Sequence, residues 1–262
     1  MQNLDKKIIS LLIDLKDTYS IQSLKAEFEA EGATFDEVLL LKKYAEFVGL
    51  GLTLKIGGCE AIRDIIDAKK IGVSSIVAPM VESSYALTKF VTAVKSVYSE
   101  INMPKLFINI ETITAVNNFD EIIAADCFKY IDGVVVGRTD LLGSMELSSS
   151  DSDINLIFDI ANDIAKKIQN LGKKIVIGGN IASNSVEFLK DLYYLSSFET
   201  RKVVFCGSLL KEPNLGEAIS KAIEFEILWL ENKVSISEES SDIDIKRLKL
   251  LKGRYLKYLE NV

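Results

Sequence analysis

The chain has 262 residues, of which 48% are hydrophobic and 26% charged, and its net charge is −7 at pH 7. This balance is typical of a folded globular domain, and the acidic excess argues against a surface for nucleic acid or anionic membranes. No stretch is long and apolar enough to span a membrane, and the amino-terminal segment does not resemble a signal peptide. We therefore expect a cytoplasmic protein with neither nucleic acid nor membrane as a partner.

Histidine is absent from the sequence, which excludes a histidine-based triad, metal site or general base. Any proton transfer must be carried out by carboxylates, lysines, tyrosines or metal-bound water. The three cysteines, Cys59, Cys127 and Cys206, are widely spaced and odd in number. They favour neither a disulfide framework nor a zinc–thiolate site, and they fit a reducing compartment.

Short β-branched apolar runs alternate along the chain with longer runs of helical period. The runs that predict strands are residues 24–31, 52–56, 75–81, 105–111, 133–137, 174–178 and 202–206. The patterns that predict helices between them are residues 35–48, 61–70, 84–98, 114–125, 154–171 and 185–195. A further helical pattern starts after Gly216, and a basic amphipathic helix follows an acidic linker near the carboxyl terminus.

This alternation predicts an α/β fold with a parallel sheet and right-handed crossovers, and the number of units favours a TIM-type (β/α) barrel. Seven strands are recognised where a barrel needs eight. Either the segment 7–16 replaces a strand, so that the first strand is atypical or missing, or one strand is unrecognised. An open doubly wound sheet is the alternative. We expect one domain over residues 1–262, with a helical extension at 236–262 that packs on its own barrel or on a neighbouring subunit.

Charged residues alternate along the first predicted strand, at Lys25, Glu27, Glu29 and Glu31. In an open sheet they would form a solvated edge, whereas in a closed barrel they must point into the lumen and pair there. On the next predicted strand, Lys55 lies directly before two glycines and a helix, which suits an anionic group. The alternative is that this lysine pairs with a nearby glutamate.

Two further strands end in polar residues. Asn109 and Glu111 should point inward at the mouth of the barrel, and Arg138 and Asp140 lie just beyond the following strand. Two carboxylates at the same end of adjacent strands, with room left for water, suit Mg²⁺ or Mn²⁺. The alternative is a structural ion pair of Asp140 with Arg138 or Lys55.

Three segments carry a family resemblance: IVAPMVESSYALTKFVTAV, FINIETITAVNNFDEII and IDGVVVGRTDLLGS. Together they resemble the HpcH/HpaI aldolase and citrate lyase family. The resemblance implies a TIM barrel, a Mg²⁺ or Mn²⁺ ion, and reversible aldol or Claisen-type cleavage through an enolate. It places the metal ligands at Glu111 and Asp140 and a contact with the oxo-acid at Asn109. The backbone from Gly137 to Thr139 would hold the substrate carboxylate, and homo-oligomers that exchange C-terminal helices are implied.

The sequence departs from the family pattern at two places. Lys55 stands where the family usually has arginine, so the positive charge is kept but bidentate hydrogen bonding to a carboxylate is lost. The aldolases also use a histidine base just after the strand that matches residues 24–31. Here the nearest candidates for that role are Glu29 and Glu31.

These observations predict a metal-dependent carbon–carbon lyase or aldolase that joins or cleaves a small 2-oxo acid and an aldehyde-type substrate. The alternatives are other metal-enolate or phosphoenolpyruvate chemistry on the same barrel, or a non-catalytic ligand-binding barrel. The residues expected to take part in catalysis are Lys55, Glu29, Glu31 and Arg138. Those expected to bind substrate are Asn109, Gly137 and Thr139, and those expected to bind metal are Glu111 and Asp140.

Overall fold

The computed structural model describes residues 3–147, 155–192, 194–236 and 242–259. Its strands form one closed barrel in chain order. They are β1 Ile21–Glu27, β2 Gly51–Lys55, β3 Ser75–Ala78, β4 Lys105–Ile110, β5 Gly133–Gly137, β6 Lys174–Gly178, β7 Ser197–Glu199 and β8 Val203–Cys206. The predicted TIM-type α/β barrel is therefore confirmed.

Helices surround this barrel and extend it at the carboxyl terminus. They are α1 Asn3–Tyr19, α2 Phe35–Phe47, α3 Ile62–Ile71, α4 Ser84–Val97, α5 Ile113–Asn117, α6 Phe119–Ala124, α7 Arg138–Ser144, α8 Asn155–Asn170, α9 Val186–Asp191, α10 Leu215–Ile236 and α11 Asp242–Leu259. Among the described helices, none is long and apolar enough to cross a membrane. Outside the described residues lie residues 154 and 193, which belong to two predicted helices, and residues 237–241 and 260–262 of the predicted extension.

The eighth strand corrects the expected topology. The strand missing from the prediction is β7, which has only three residues and therefore too short a pattern to be recognised. Since β7 and β8 are joined by residues 200–202 alone, no crossover is possible, and β8 runs antiparallel to both β7 and β1. The segment 7–16 lies within α1 and replaces no strand. The first strand is present and parallel to β2, although its register against β8 shifts between Ile21 and Ser23, and the strand that departs from the parallel order is the last one.

Alternation along β1 shows how the sequence separates the outer core from the lumen. Leu24 and Ala26 are buried in the core between barrel and helices, whereas Lys25 and Glu27 alternate with them and line the central pocket. A separate apolar cluster of Val77, Phe107, Val135 and Val176, from β3 to β6, shows the layered filling expected inside a barrel. The charges of β1 thus point into the lumen, as a closed barrel requires.

The C-terminal helices pack on the barrel of their own chain. Helix α10 lies against α1, and α11 lies against α10. Arg247 of α11 makes two hydrogen bonds to the buried carboxylate of Glu226, and Leu251 of the same helix is almost fully buried. Ile223 of α10, together with Arg247 and Leu251, lines the central pocket. The extension is therefore part of the wall of the site. Its packing on a neighbouring subunit stays a prediction.

Candidate active site at the carboxyl ends of the strands

A pocket of about 350 Å³ opens where the parallel strands end. Side chains that follow β1, β2, β4, β5, β6 and β7 converge there, because the carboxyl ends of parallel strands meet at one face of a barrel. The residues predicted from sequence that line it are Lys55, Asn109, Glu111, Gly137, Thr139 and Asp140. The barrel thus brings together both predicted metal ligands and all three predicted substrate-binding residues.

Glu111 is the most tightly held carboxylate of the pocket, with 1% of its surface exposed. One oxygen accepts a hydrogen bond from the backbone N–H of Met80 at 3.0 Å, and the other accepts one from Asn109 Nδ2 at 2.7 Å. Met80 has φ of 49°, a conformation that costs a non-glycine residue about 1 kcal/mol or more. Gly137 provides the space, since a Cβ there would lie 2.8 Å from the Glu111 side chain.

Asp140, in the first turn of α7, lies on the same wall of the pocket as Glu111. Burial and the neighbouring Glu111 carboxylate raise the pKa of Asp140, and the Lys55 ammonium opposes this rise. A cation bound between the two carboxylates would offset their mutual repulsion. Asn109 Oδ1 is moreover buried without a hydrogen-bond partner among the described residues. Carboxylate and amide oxygens are ligands that Mg²⁺ and Mn²⁺ prefer, so these residues fit the implied metal.

Lys55 connects Glu111 with the end of β1. Its ammonium lies 3.3 Å from Glu111 Oε2 and 2.6 Å from Glu29 Oε2. Although burial opposes the charge, Glu111 and Glu27 raise the pKa of Lys55, so the side chain is an ammonium at neutral pH. The sequence left open whether this lysine pairs with a nearby glutamate, and the structure contains that ion pair. Glu29, with 24% of its side chain exposed, is the predicted base that meets Lys55.

Glu31 and Arg138 are placed away from the pocket. Glu31 is buried against Lys202, and burial raises the pKa of its carboxyl. Arg138 is fully buried, donates hydrogen bonds to the carbonyl oxygen of Gly179 and stacks over the ring of Phe188 at 4.5 Å. Neither residue is among those that line the pocket, since Glu31 lies beyond the end of β1 and Arg138 packs toward α9. Glu29 is not a lining residue either, and it meets the site through its contact with Lys55.

A buried ion triad of Lys25, Glu27 and Glu199 forms the wall on the other side of the lumen. The Lys25 ammonium contacts Glu199 and lies 3.1 Å from Glu27 Oε1. Although burial opposes ionisation, Lys25 and Lys55 lower the pKa of Glu27 to about 2. Glu199 was not a predicted site residue, since it belongs to the unrecognised β7. No local signal marks it, because a strand of three residues is too short to be distinguished from a loop.

Acidic groups exceed basic groups in this part of the pocket. The lining residues include five carboxylates, those of Glu27, Glu111, Asp140, Glu199 and Glu226, and four cations, those of Lys25, Lys55, Arg201 and Arg247. Near Asp140 the carboxylates of Glu111 and Glu29 add to the negative charge and Lys55 opposes it, so a bound cation is favoured there. No group of three or more cysteine, aspartate or glutamate side chains that could hold a metal occurs among the described residues. A cation here would therefore have two carboxylate ligands, with its remaining positions left for water or substrate.

A TIM-type barrel with paired carboxylates and a buried lysine at the carboxyl ends of its strands defines an enzyme-type site. Comparison with known sequences identifies the family: residues 10–179 match the HpcH/HpaI aldolase/citrate lyase family. The chain therefore belongs to this family, whose members are lyases or synthases of the aldolase/citrate lyase type. No curated protein matches the sequence significantly.

Solved structures show the same fold at low sequence identity. The HpcH/HpaI aldolase from Desulfitobacterium hafniense DCB-2 is 14% identical, with a TM-score of 0.58 over 76% of this chain and 82% of that chain. Citrate synthase SbnG is 15% identical, with a TM-score of 0.57 over 74% of this chain and 81% of that one. RipC from Yersinia pestis is 16% identical, with a TM-score of 0.51, and covers 87% of this chain and 100% of its own. Homo-oligomerisation and a cytoplasmic location stay predictions.

Proposed function

We propose that the protein is a divalent-metal-dependent carbon–carbon lyase or aldolase that acts on a small 2-oxo acid through its enolate. The observation that carries this proposal is the convergence of Glu111, Asp140, Asn109 and Lys55 in one pocket. This arrangement supplies hard oxygen ligands beside a fixed positive charge. Such a site is suited to stabilising negative charge that develops on an oxo group.

The implied cation, Mg²⁺ or Mn²⁺, would be held by Glu111 and Asp140 and would supply Lewis-acid stabilisation of the developing oxyanion. The chain itself supplies the substrate contacts. The N–H groups in the first turn of α7 have no preceding helical carbonyl to bond, and they suit the carboxylate of the oxo-acid. Gly179, with φ of 86°, leaves these groups accessible, because a Cβ there would lie 2.6 Å from the nitrogen of Thr139.

The remaining steps use Lys55 and Glu29. In the proposed synthetic direction, the Glu29 carboxylate takes a proton from the carbon next to the oxo group, and the electron pair of that C–H bond forms the enolate. The Lys55 ammonium, which is held between Glu29 and Glu111, stabilises the enolate oxygen. The enolate carbon then bonds the aldehyde carbon, and the proton moves to the new alkoxide. Since no histidine exists in the chain, a carboxylate takes the role of base.

Enolisation tests this proposal without knowledge of the aldehyde. The protein is incubated with pyruvate in deuterated water, in parallel with and without Mg²⁺ or Mn²⁺. The metal is removed before the measurement, and the loss of methyl protons is determined by NMR. We expect metal-dependent exchange in the wild type and loss of at least a hundredfold in Glu111→Gln. The exposed Glu217→Gln variant is the matched control. Exchange that survives in Glu111→Gln would refute the assignment of this residue.

A non-catalytic ligand-binding barrel is the second candidate, and one observation favours it. Both oxygens of Glu111 already accept bonds from the protein, and Lys55 lies within ion-pair distance, so the carboxylate is neutralised internally. This candidate expects pyruvate to bind with equal affinity with and without Mg²⁺, and no deuterium exchange in either case. Calorimetric titration of pyruvate, beside the exchange measurement, therefore separates the two functions.

A further inference from the structure

The loop between β1 and α2 carries the proposed base on a tight turn. At the start of the loop, Phe28 donates a backbone hydrogen bond to the carbonyl oxygen of Lys55 at 2.9 Å, which fixes this end to β2. Further along, the N–H of Gly32 bonds the carbonyl oxygen of Glu29 at 3.1 Å, so residues 29–32 form a turn. The base is the first residue of this turn, and its location therefore depends on how the turn is held.

Glu31, the third residue of the turn, connects it to the hairpin of β7 and β8. One oxygen of its carboxylate accepts a hydrogen bond from the Lys202 ammonium, and the two side chains are 9% and 5% exposed, respectively. Lys202 in turn lies over the ring of Trp229, a buried residue of α10, at 5.8 Å from the ring centroid. The other oxygen of Glu31 accepts no hydrogen bond within the described residues, and the nearest guanidinium nitrogen, that of Arg201, is 3.9 Å away. A buried ion pair thus ties the turn to the last hairpin of the barrel.

Glu29 is placed by the turn more than by its own contacts. Its side chain is 24% exposed, and the Lys55 ammonium lies 2.6 Å from one of its oxygens. That ammonium also lies 3.3 Å from Glu111, so it is shared between two carboxylates and does not by itself fix where Glu29 lies. Buried charges tolerate little displacement, because separation leaves each of them without its partner. The ion pair of Glu31 therefore has the stronger hold on the turn.

We propose that Glu31 is a positioning residue, whose ion pair with Lys202 holds the turn of residues 29–32 so that the Glu29 carboxylate reaches the proton it removes. The inference rests on the proposed function, in which Glu29 is the base. A base must lie within hydrogen-bond reach of the proton, and a displacement of about 1 Å can lower a rate about a hundredfold. Glu31 acts through Glu29 and does not line the pocket itself.

The test follows pyruvate exchange in Glu31→Gln, in Glu29→Gln and in the variant with both changes. Glu31→Gln removes the charge and keeps the shape. Glu31→Asp is the milder change, since it keeps the charge and shortens the side chain by one methylene, and it serves where Glu31→Gln does not fold. Lys221→Gln is the control, because Lys221 pairs with Asp14 at 2.8 Å and neither residue lines the pocket. Thermal unfolding establishes that each variant is folded, and calorimetric titration gives its affinity for Mg²⁺ or Mn²⁺.

We expect exchange to fall about tenfold or more in Glu31→Gln and less in Glu31→Asp, while Lys221→Gln behaves as wild type. Metal affinity should stay within about twofold of wild type, because Glu111 is held by other groups. In the Glu29→Gln background, Glu31→Gln should change the remaining exchange by less than about twofold, since the group that it positions is already lost. Equal factors in both backgrounds, exchange at the wild-type rate in Glu31→Gln, or an equal loss of metal affinity would overturn the proposal.

Amide hydrogen exchange, measured by NMR, tests the ion pair without turnover. In Glu31→Gln the N–H groups of Gly32 and Ala33, which make backbone hydrogen bonds of 3.1 and 3.3 Å within the loop, should exchange about tenfold faster or more. The N–H of Phe28, which bonds β2, should keep its wild-type rate. Unchanged rates at Gly32 and Ala33 would overturn the proposal. Failure of the proposed function is recognised separately, since the wild type would then show no pyruvate exchange, whereas amide exchange would still report on the turn.

Discussion

Gly137 offers the sharpest test of how the proposed metal-binding wall is built. It ends β5 opposite the Glu111 side chain, and a Cβ at this position would lie 2.8 Å from both Cβ and Oε2 of Glu111. Contacts this short force a displacement, and Glu111 has little freedom because three groups of the protein hold its two oxygens. Gly137→Ala should therefore destabilise the fold by about 1–3 kcal/mol through overpacking. It should also shift the carboxylate away from Asp140.

The assay pairs denaturant unfolding with calorimetric titration of Mg²⁺ or Mn²⁺. Gly143→Ala is the matched control, since Gly143 lies in α7 and a Cβ there would meet nothing within 4 Å. That control should keep metal affinity and gain about 0.5–1 kcal/mol, the usual effect of replacing a helical glycine. For Gly137→Ala we expect metal affinity to fall at least tenfold. Wild-type stability and metal affinity in this variant would refute the close packing argued here.

Two further predictions concern the charged residues of the lumen. Lys25 and Lys55 lower the pKa of Glu27 to about 2, against an ordinary value of 4.5. The ionised carboxylate therefore stabilises the fold fully above pH 5, and this contribution to stability is lost as the pH falls toward 2. The free energy of unfolding, measured between pH 6 and pH 2, should fall in the wild type and fall less in Glu27→Gln. The same pH dependence in both proteins would contradict the ion triad. Lys55→Met should lower pyruvate exchange by at least tenfold without lowering metal affinity, whereas Lys55→Arg should keep most of the exchange. Exchange at the wild-type rate in Lys55→Met would show that the ammonium does not stabilise the enolate.

Local sequence was sufficient for most of the barrel. Strands β2, β4, β5 and β6 have β-branched runs long enough to show their ends within one residue of the structure. Strand β7 has three residues, so neither length nor alternation distinguishes it from a loop. The antiparallel direction of β8 follows from the short turn after β7 and could not be predicted while β7 was unrecognised.

Local sequence also predicted only some of the residues of the candidate site. Glu111, Asp140, Asn109 and Lys55 could be placed from the sequence, because each lies at the carboxyl end of a recognisable strand. Glu31 and Arg138 occupy comparable sequence positions but are buried against Lys202 and Phe188 outside the pocket. Beyond the end of a strand the period-two rule no longer fixes which way a side chain points, and packing decides it.

The sequence predicted a (β/α) barrel, a site without histidine, and a pair of carboxylates at the ends of adjacent strands. Periodicity and strand ends are local properties, and they fix which residues share a face. The three-dimensional contacts were needed to show that Lys25 pairs with Glu199, that Lys55 joins Glu29 to Glu111, and that Arg201 and Arg247 line the pocket. Lys25 and Glu199 are separated by 174 positions in the chain. Contacts over such a distance depend on how the barrel closes, which no local pattern encodes.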